Sequence, residues 1–159
     1  MYLNKETEIS YHYLQQVIKH LDEPLCLLGG WAVYFTVNSK YQKETGASYL
    51  GSRDIDLGFY DVKTMKKTVE KLEQLGFKRL SFRYFKELHT ETMRELDKEE
   101  ARKTPLHNIF PMYVDLIIAK TDVSMKTKLG FMPIDEPLLL PVFEKGKKND
   151  VKEFGKHVM

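Results

Sequence analysis

Apolar residues recur at helical spacing in two stretches of the chain. Residues 5–21 place apolar side chains three or four positions apart, from Ile9 to Leu21. Residues 62–76 repeat this pattern with lysines and glutamates between the apolar positions, and the range ends at Gly76, a helix stop signal. Such spacing gives a helix one buried face and one solvated face. We therefore predict two amphipathic helices here.

Shorter apolar runs bounded by turn-forming residues predict strands. A further buried helix is predicted directly after Gly30, in WAVYFTV, and residues 39–53 are predicted to be a polar connection. The order βαβαβ with later strands predicts the α/β (α+β) class, with a mixed central β-sheet and helices packed on it. The predicted strands are residues 25–28, 55–60, 77–87, 112–119, 138–143 and 151–159, and we expect the last two to form a hairpin.

Composition places the chain among ordinary globular proteins. Apolar residues make up 42% and charged residues 30% of its 159 residues, which suits one domain, residues 1–159, with one core. A net charge of +2 gives no overall basic footprint for nucleic acid, although a local basic face stays open. With one cysteine, Cys26, no intrachain disulfide forms, and no apolar run approaches the roughly 20 residues of a membrane span. We expect a cytoplasmic protein without a membrane segment.

Three aspartates stand inside apolar strands. Asp54 and Asp56 are two positions apart, so their side chains share one face of the strand, and Asp115 lies inside YVDLII. If the two strands are neighbours, three carboxylates converge and repel one another unless a cation sits among them. Oxygen ligands suit Mg²⁺ or Mn²⁺. The alternative is that Asp54 and Asp56 begin an edge strand and cap a turn; we favour the metal interpretation.

Gly29 and Gly30 end the first strand where a helix begins. Backbone N–H groups at a helix N-terminus bind anions, and the lack of side chains lets a phosphate approach closely. The alternative is a tight turn with nothing bound. Together, a phosphate cradle and a divalent-metal platform are the parts that phosphoryl or nucleotidyl transfer requires.

The segments GGWAV, DIDLG and YVDLI, in this order, resemble the nucleotidyltransferase superfamily related to DNA polymerase beta. The resemblance covers residues 25–120, and the motif layout is closest to the AbiEii-like toxin group and the antibiotic nucleotidyltransferases. It implies catalytic and metal-binding roles for the three acids and nucleotide-binding roles for the glycines and the pair before the first acid. The residues concerned are Asp54, Asp56 and Asp115, then Gly29, Gly30, Ser52 and Arg53. Ser52 could donate to a phosphate and Arg53 could neutralise one; the alternative is that these two residues only form a turn.

This resemblance implies an enzyme that uses Mg²⁺ or Mn²⁺ to move NMP from an NTP to an acceptor, which could be tRNA or other RNA, a protein or a small molecule. The alternative is a non-catalytic nucleotide- or partner-binding domain of the same fold, such as a toxin–antitoxin component. A metal-dependent phosphohydrolase would need more histidines or acids than we find. Because relatives continue into further helices, we also expect a second copy or a missing C-terminal segment to cover the final hairpin.

Overall fold

The computed structural model describes residues 4–24, 26–146, 148–151 and 156–158, and it has a mixed α/β fold. The helices are α1 (Asn4–His20), α2 (Gly29–Thr45), α3 (Val62–Gln74), α4 (Lys98–Lys103), α5 (Met125–Leu129) and α6 (Leu139–Lys145), with a short 3-10 helix at Leu106–Asn108. The strands are β1 (Cys26–Leu27), β2 (Ile55–Phe59), β3 (Lys78–Leu80), β4 (Arg83–His89), β5 (Ile109–Ile118), β6 (Ile134–Asp135), β7 (Asn149–Val151) and β8 (Lys156–Val158).

The main sheet mixes parallel and antiparallel neighbours. Its order in the described residues is β1-β2-β5-β4-β3, and β6 pairs with the end of β5. The central pair, β2 and β5, is parallel, whereas β1 and β4 run antiparallel to their neighbours. Strands β7 and β8 form a separate antiparallel pair. The parallel pair brings the two predicted acidic strands side by side.

One face of the main sheet packs into the hydrophobic core. Alternate residues of β5, from Phe110 to Ile118, are fully buried, and Ile55 and Leu57 of β2 join them in the same cluster. Helices α1 and α3 contribute their apolar faces to this cluster, as the spacing predicts. Residues between these positions point to the opposite face of the sheet, because side chains alternate along a strand. That opposite face carries the candidate site.

Helix ends follow local signals. Asp61 caps α3, since its carboxylate accepts hydrogen bonds from the N–H groups of Lys63 (2.8 Å) and Thr64 (2.9 Å). Helix α2 ends at Gly46, whose φ of 72° is left-handed and whose N–H donates to the carbonyl of Gln42. Helix α2 thus takes up residues 39–45, the first part of the predicted connection.

Two strand predictions are wrong. Residues 138–143 are not a strand, because α6 occupies Leu139–Lys145, and the expected hairpin with residues 151–159 is therefore absent. Residues 77–87 are not one strand but the β3–β4 hairpin, which turns at Ser81 with a φ of 58°. Helix α5 and strand β6, which lie between β5 and α6, were not predicted from the sequence. Part of the predicted final strand, residues 152–155 and 159, lies outside the described residues.

The pair β7–β8 packs into the main core through Val151 and Val158, which are 8% and 5% exposed. We expected a second copy or a missing C-terminal segment to cover a hairpin of residues 138–143 and 151–159. Because that hairpin is absent, this expectation has lost its basis. Of the helices in the described part of the chain, none combines the length and apolar character needed to cross a membrane.

Candidate metal and nucleotide site

Asp56 and Asp115 are direct neighbours across the central strand pair. They are Cα partners in the parallel register of β2 and β5, so their side chains project from the same face of the sheet. The buried partners on either side, Ile55 with Val114 and Leu57 with Leu116, hold this register by filling the core face. The sequence prediction that these two acids converge is confirmed.

Asp54 stands just before β2 and belongs to the same electrostatic cluster. Burial raises its pKa, and the negative charge of Asp115 raises it further. The charges of Arg83 and Arg53, and a hydrogen bond from the backbone N–H of Tyr113 to the Asp54 carboxylate, lower this pKa but do not cancel the increase. Asp54 therefore stays close enough to Asp115 for each charge to change the energy of the other.

Asp56 is the most perturbed of the three acids. The pKa of Asp56 is raised to about 6, first by burial and then by the negative charges of Asp115 and Asp54, while Arg83 opposes the shift. A carboxyl group in this position is partly protonated at mildly acid pH. The three acids thus form the self-repelling cluster that the sequence predicts.

Arg83 is the functional candidate that sequence reasoning missed. It is the Cα partner of Asp115 in the antiparallel pair β4–β5, and its Nε and Nη2 donate to the two carboxylate oxygens at 2.8 and 2.5 Å. The guanidinium also lies 4.4 Å from the centre of the Tyr113 ring, a cation–π contact. The hydrogen bonds to Asp115 raise the pKa of Arg83, so its charge is secure. Only the strand register, which the sequence does not display, reveals this partner.

Arg83 limits what the acids are ready to bind. Across the residues that the structure describes, no group of three or more His, Cys, Asp or Glu side chains is arranged so that it could hold a metal ion. Both oxygens of Asp115 face the guanidinium, but a carboxylate has about four lone-pair positions and Arg83 uses two. The donor set suits a hard cation by chemistry. A cation that uses Asp115 must share it with Arg83 or displace Arg83.

Gly29 brings the start of α2 against the acids. The N–H of Leu28 donates to the carbonyl of Asp56 at 2.9 Å, which fixes the turn beside β2. Gly29 has a φ of +60°, and a Cβ built on it would collide with the Asp56 carboxylate. Glycine is therefore needed here both for backbone conformation and for space. The predicted position of this turn, facing the acid cluster, is confirmed.

Gly30 and Ser52 form the next part of the site. A Cβ on Gly30 would lie 2.9 Å from Cβ and 3.2 Å from Oγ of Ser52, so the serine packs closely against the first turn of α2. The first N–H groups of a helix have no partner inside the helix and carry partial positive charge. A serine hydroxyl beside them can add a further hydrogen bond to an anion.

Arg53 points toward α1. Its Nε lies 2.9 Å from a carboxylate oxygen of Glu6, and its guanidinium lies 5.4 Å from the centre of the Phe110 ring. The sequence suggested that Arg53 neutralises a phosphate. In the structure this charge pairs with Glu6 while still acting on Asp54 at longer range. Arg83 contacts the acid cluster directly, through both carboxylate oxygens of Asp115.

Comparison with known proteins adds no relative. No protein-family model, no curated protein and no solved structure matches this chain.

Proposed function

We propose that this chain is a metal-dependent nucleotidyltransferase that moves NMP from an NTP to an acceptor. The observation that carries the proposal is the side-by-side placement of Asp56 and Asp115, with Asp54 beside them and the N-terminus of α2 against Asp56. Carboxylates next to a helix N-terminus combine a cation-binding surface with an anion-binding surface. Transfer of a phosphoryl group needs both within one site.

Each group has a role in this proposal. Asp54, Asp56 and Asp115 would hold Mg²⁺ or Mn²⁺, which supplies charge neutralisation and a more acidic acceptor hydroxyl. The N–H groups beginning at Gly30, with the Ser52 hydroxyl, hold the triphosphate. The acceptor oxygen attacks the α-phosphorus and forms the new P–O bond, while the bond to the β-phosphate oxygen breaks and pyrophosphate leaves with its electrons. The hydroxyl proton passes to a nearby carboxylate or to water.

The acceptor in this proposal is an RNA such as tRNA, a protein or a small molecule. We place the activity in the cytoplasm, because the one cysteine suits a reducing compartment where NTPs are abundant.

The test is transfer of label from each α-labelled NTP, with Mg²⁺ or Mn²⁺ and a cell extract as the source of acceptor. We expect label in a macromolecule or small product with the natural chain and none with Asp56→Asn. Asp22→Asn is the matched control, since Asp22 is an exposed acid whose carboxylate lies 3.6 Å from Lys67, and it should transfer normally. Equal labelling by the natural chain and by Asp56→Asn would reject the proposal.

A second candidate function is supported by the Arg83 contact. A guanidinium that already neutralises Asp115 is what a non-catalytic nucleotide- or partner-binding domain would keep, because such a domain needs no cation there. In that case the chain binds NTP equally well with and without Mg²⁺ and releases no pyrophosphate. Calorimetry with and without the metal, together with a pyrophosphate assay, separates the two functions.

A further inference from the structure

We propose that a cavity beside the acid cluster binds a flat heteroaromatic ring such as a nucleobase. The cavity has a volume of about 530 Å³ and lies between α1, the start of α2 and residues 47–51. This volume is within the range of about 300–1,000 Å³ that is usual for small-molecule sites. Its walls include four aromatic side chains and two polar ones: Tyr11, Trp31, Tyr34, Tyr49, Thr7 and Glu8.

The aromatic walls determine the kind of ligand. The ring centres of Tyr11 and Tyr34 lie 5.4 Å from that of Trp31, at interplanar angles of 45° and 77°, so the rings meet at tilted or edge-on angles. Trp31 is 1% exposed and forms the floor, while the two tyrosines keep part of their surface accessible. Flat rings gain stacking and edge contacts on such walls, whatever their substituents.

The wall formed by residues 47–51 is held in position. The N–H of Tyr49 donates to Oδ1 of Asn38 at 2.7 Å, and its ring packs edge-on against Tyr41. At the other end, a Cβ on Gly51 would collide with Trp31 and Thr7, so this backbone lies directly on both side chains. Because the cavity exists before a ligand arrives, binding costs little ordering entropy.

Polar groups in the cavity favour a ring over a phosphate. Among the described residues the buried hydroxyl of Thr7 has no hydrogen-bond partner, and Glu8 brings a carboxylate to the rim. The Thr7 oxygen has almost no accessible surface, so a base does not reach it directly. The Glu8 carboxylate at the rim repels an anion and leaves an uncharged ring unopposed. The indole N–H of Trp31 is already used, since it donates to the buried Ser10 hydroxyl at 3.1 Å.

A short stretch of backbone joins the cavity to the acids. Gly51 lies on Trp31, Ser52 packs against Gly30, and Asp54 belongs to the acid cluster. Three residue steps span at most about 10 Å. One molecule can therefore place its ring in the cavity and its phosphate, or its attacking hydroxyl, at the acids. The choice between NTP and acceptor as the owner of the ring rests on the proposed function; the ring site itself does not.

The experiment uses Trp31, the only tryptophan of the chain, as the reporter. Free ribonucleosides are titrated without metal, and we expect a saturable change in Trp31 fluorescence. Tyr34→Leu should weaken binding about five- to a hundredfold by removing one ring contact, and Tyr34→Phe should retain it. Ala47→Phe adds a ring at the exposed cavity mouth and should also weaken binding, with Ala47→Ser as its control.

A fluorescence change that does not saturate, or equal affinities for the natural chain, Tyr34→Leu and Ala47→Phe, would overturn the ring site. If an NTP with Mn²⁺ binds more tightly than its nucleoside, and Asp56→Asn removes the difference, the ring belongs to the NTP. If the nucleoside binds and the NTP with Mn²⁺ binds no better at Trp31, the ring belongs to the acceptor. A nucleoside has no phosphate and needs no metal. Failure of the nucleoside titration therefore does not affect the labelled-NTP test, and failure of the labelled-NTP test does not affect the nucleoside titration.

Discussion

Asp56 and Arg83 have opposite effects on one small patch of charge. Asp56 has a raised pKa because it is buried near Asp115 and Asp54, whereas Arg83 neutralises Asp115 directly. An acid whose pKa is higher in the folded state binds its proton more tightly there than in the unfolded chain. The charge cluster therefore costs stability once Asp56 loses its proton, as sites that bind cations commonly do.

Asp56→Asn should stabilise the folded chain at neutral pH. For the natural chain the contribution of Asp56 to stability is greatest below its ordinary pKa of 3.8 and falls as the pH rises to about 6. Because part of Asp56 remains in water, we expect the variant to gain about 1–2 kcal/mol at pH 7 and nothing near pH 4. Urea unfolding across this pH range measures the difference. A variant that is less stable than the natural chain at pH 7 would contradict the prediction.

Arg83→Gln should lower the stability of the metal-free chain and raise its response to Mn²⁺. The change leaves the mostly buried Asp115 without its cationic partner, which should cost about 1–3 kcal/mol. It also removes a positive charge and frees both carboxylate oxygens for a cation. Thermal unfolding with increasing Mn²⁺ measures both effects.

Arg83→Lys is the matched control for this prediction. It keeps the charge but loses the two-pronged hydrogen bond and the planar contact with Tyr113, so its response should lie between those of the other two chains. Equal stability and equal Mn²⁺ response of Arg83→Gln and the natural chain would show that Arg83 does not control access to Asp115.

At the scale of elements, the apolar run LLLPVF is the instructive case. Its composition suits a buried strand, yet it forms α6. This helix packs on the sheet face opposite the main core, with Leu139 against Cys26 and Ala119. Leu139 is 3% exposed and the preceding Leu138 is 76% exposed, so a single helical face is buried. A short apolar run carries too little periodicity to separate a strand from a helix.

Leu139→Ala should destabilise the chain and expose Cys26. Removing a buried leucine leaves a cavity and costs about 2–3 kcal/mol in a small cluster such as this one. Burial raises the pKa of the Cys26 thiol to about 11, so a thiol reagent should react slowly with the natural chain and faster with the variant. Leu138→Ala should change neither property. The assignment of this segment to α6 fails if the two variants behave alike.

At the scale of the whole molecule, the acid cluster joins parts of the chain that are far apart in sequence. Asp54 lies just before β2 and Asp56 lies in β2, while Asp115 comes from β5 and Arg83 from β4. A ligand that holds these parts together stabilises the folded state and has no equivalent partner in the unfolded chain. Folding stability therefore reports on the proposed site as a unit.

Mn²⁺ or Mg²⁺ together with an NTP should raise the unfolding temperature. At a ligand concentration of 100 times its Kd the gain in stability is about 2.7 kcal/mol. The double variant Asp54→Asn, Asp56→Asn should lose this gain while remaining folded, and Asp22→Asn should keep it. Calorimetric unfolding with metal alone, NTP alone and both together measures the effect. The same gain in the double variant would count against metal binding by these acids.

The sequence by itself determined two kinds of element: those with a long periodic pattern of apolar residues, and those with a clear signal such as glycine or an acid among apolar neighbours. Helices α1 and α3, the turn at Gly29 and the two acidic strands follow from side-chain spacing, glycine and the contrast of acids with apolar neighbours. The β3–β4 hairpin lacked such a mark, because its turn uses Ser81 at positive φ where glycine or asparagine is usual.

Only the tertiary structure decided which side chains meet. Strand order and register place Arg83 on Asp115, and the packing of α1 on α2 encloses the cavity above Trp31. Register depends on how both sheet faces are buried by the whole chain, so no local pattern encodes it. For the same reason the sequence could predict three converging acids but not the arginine that holds one of them.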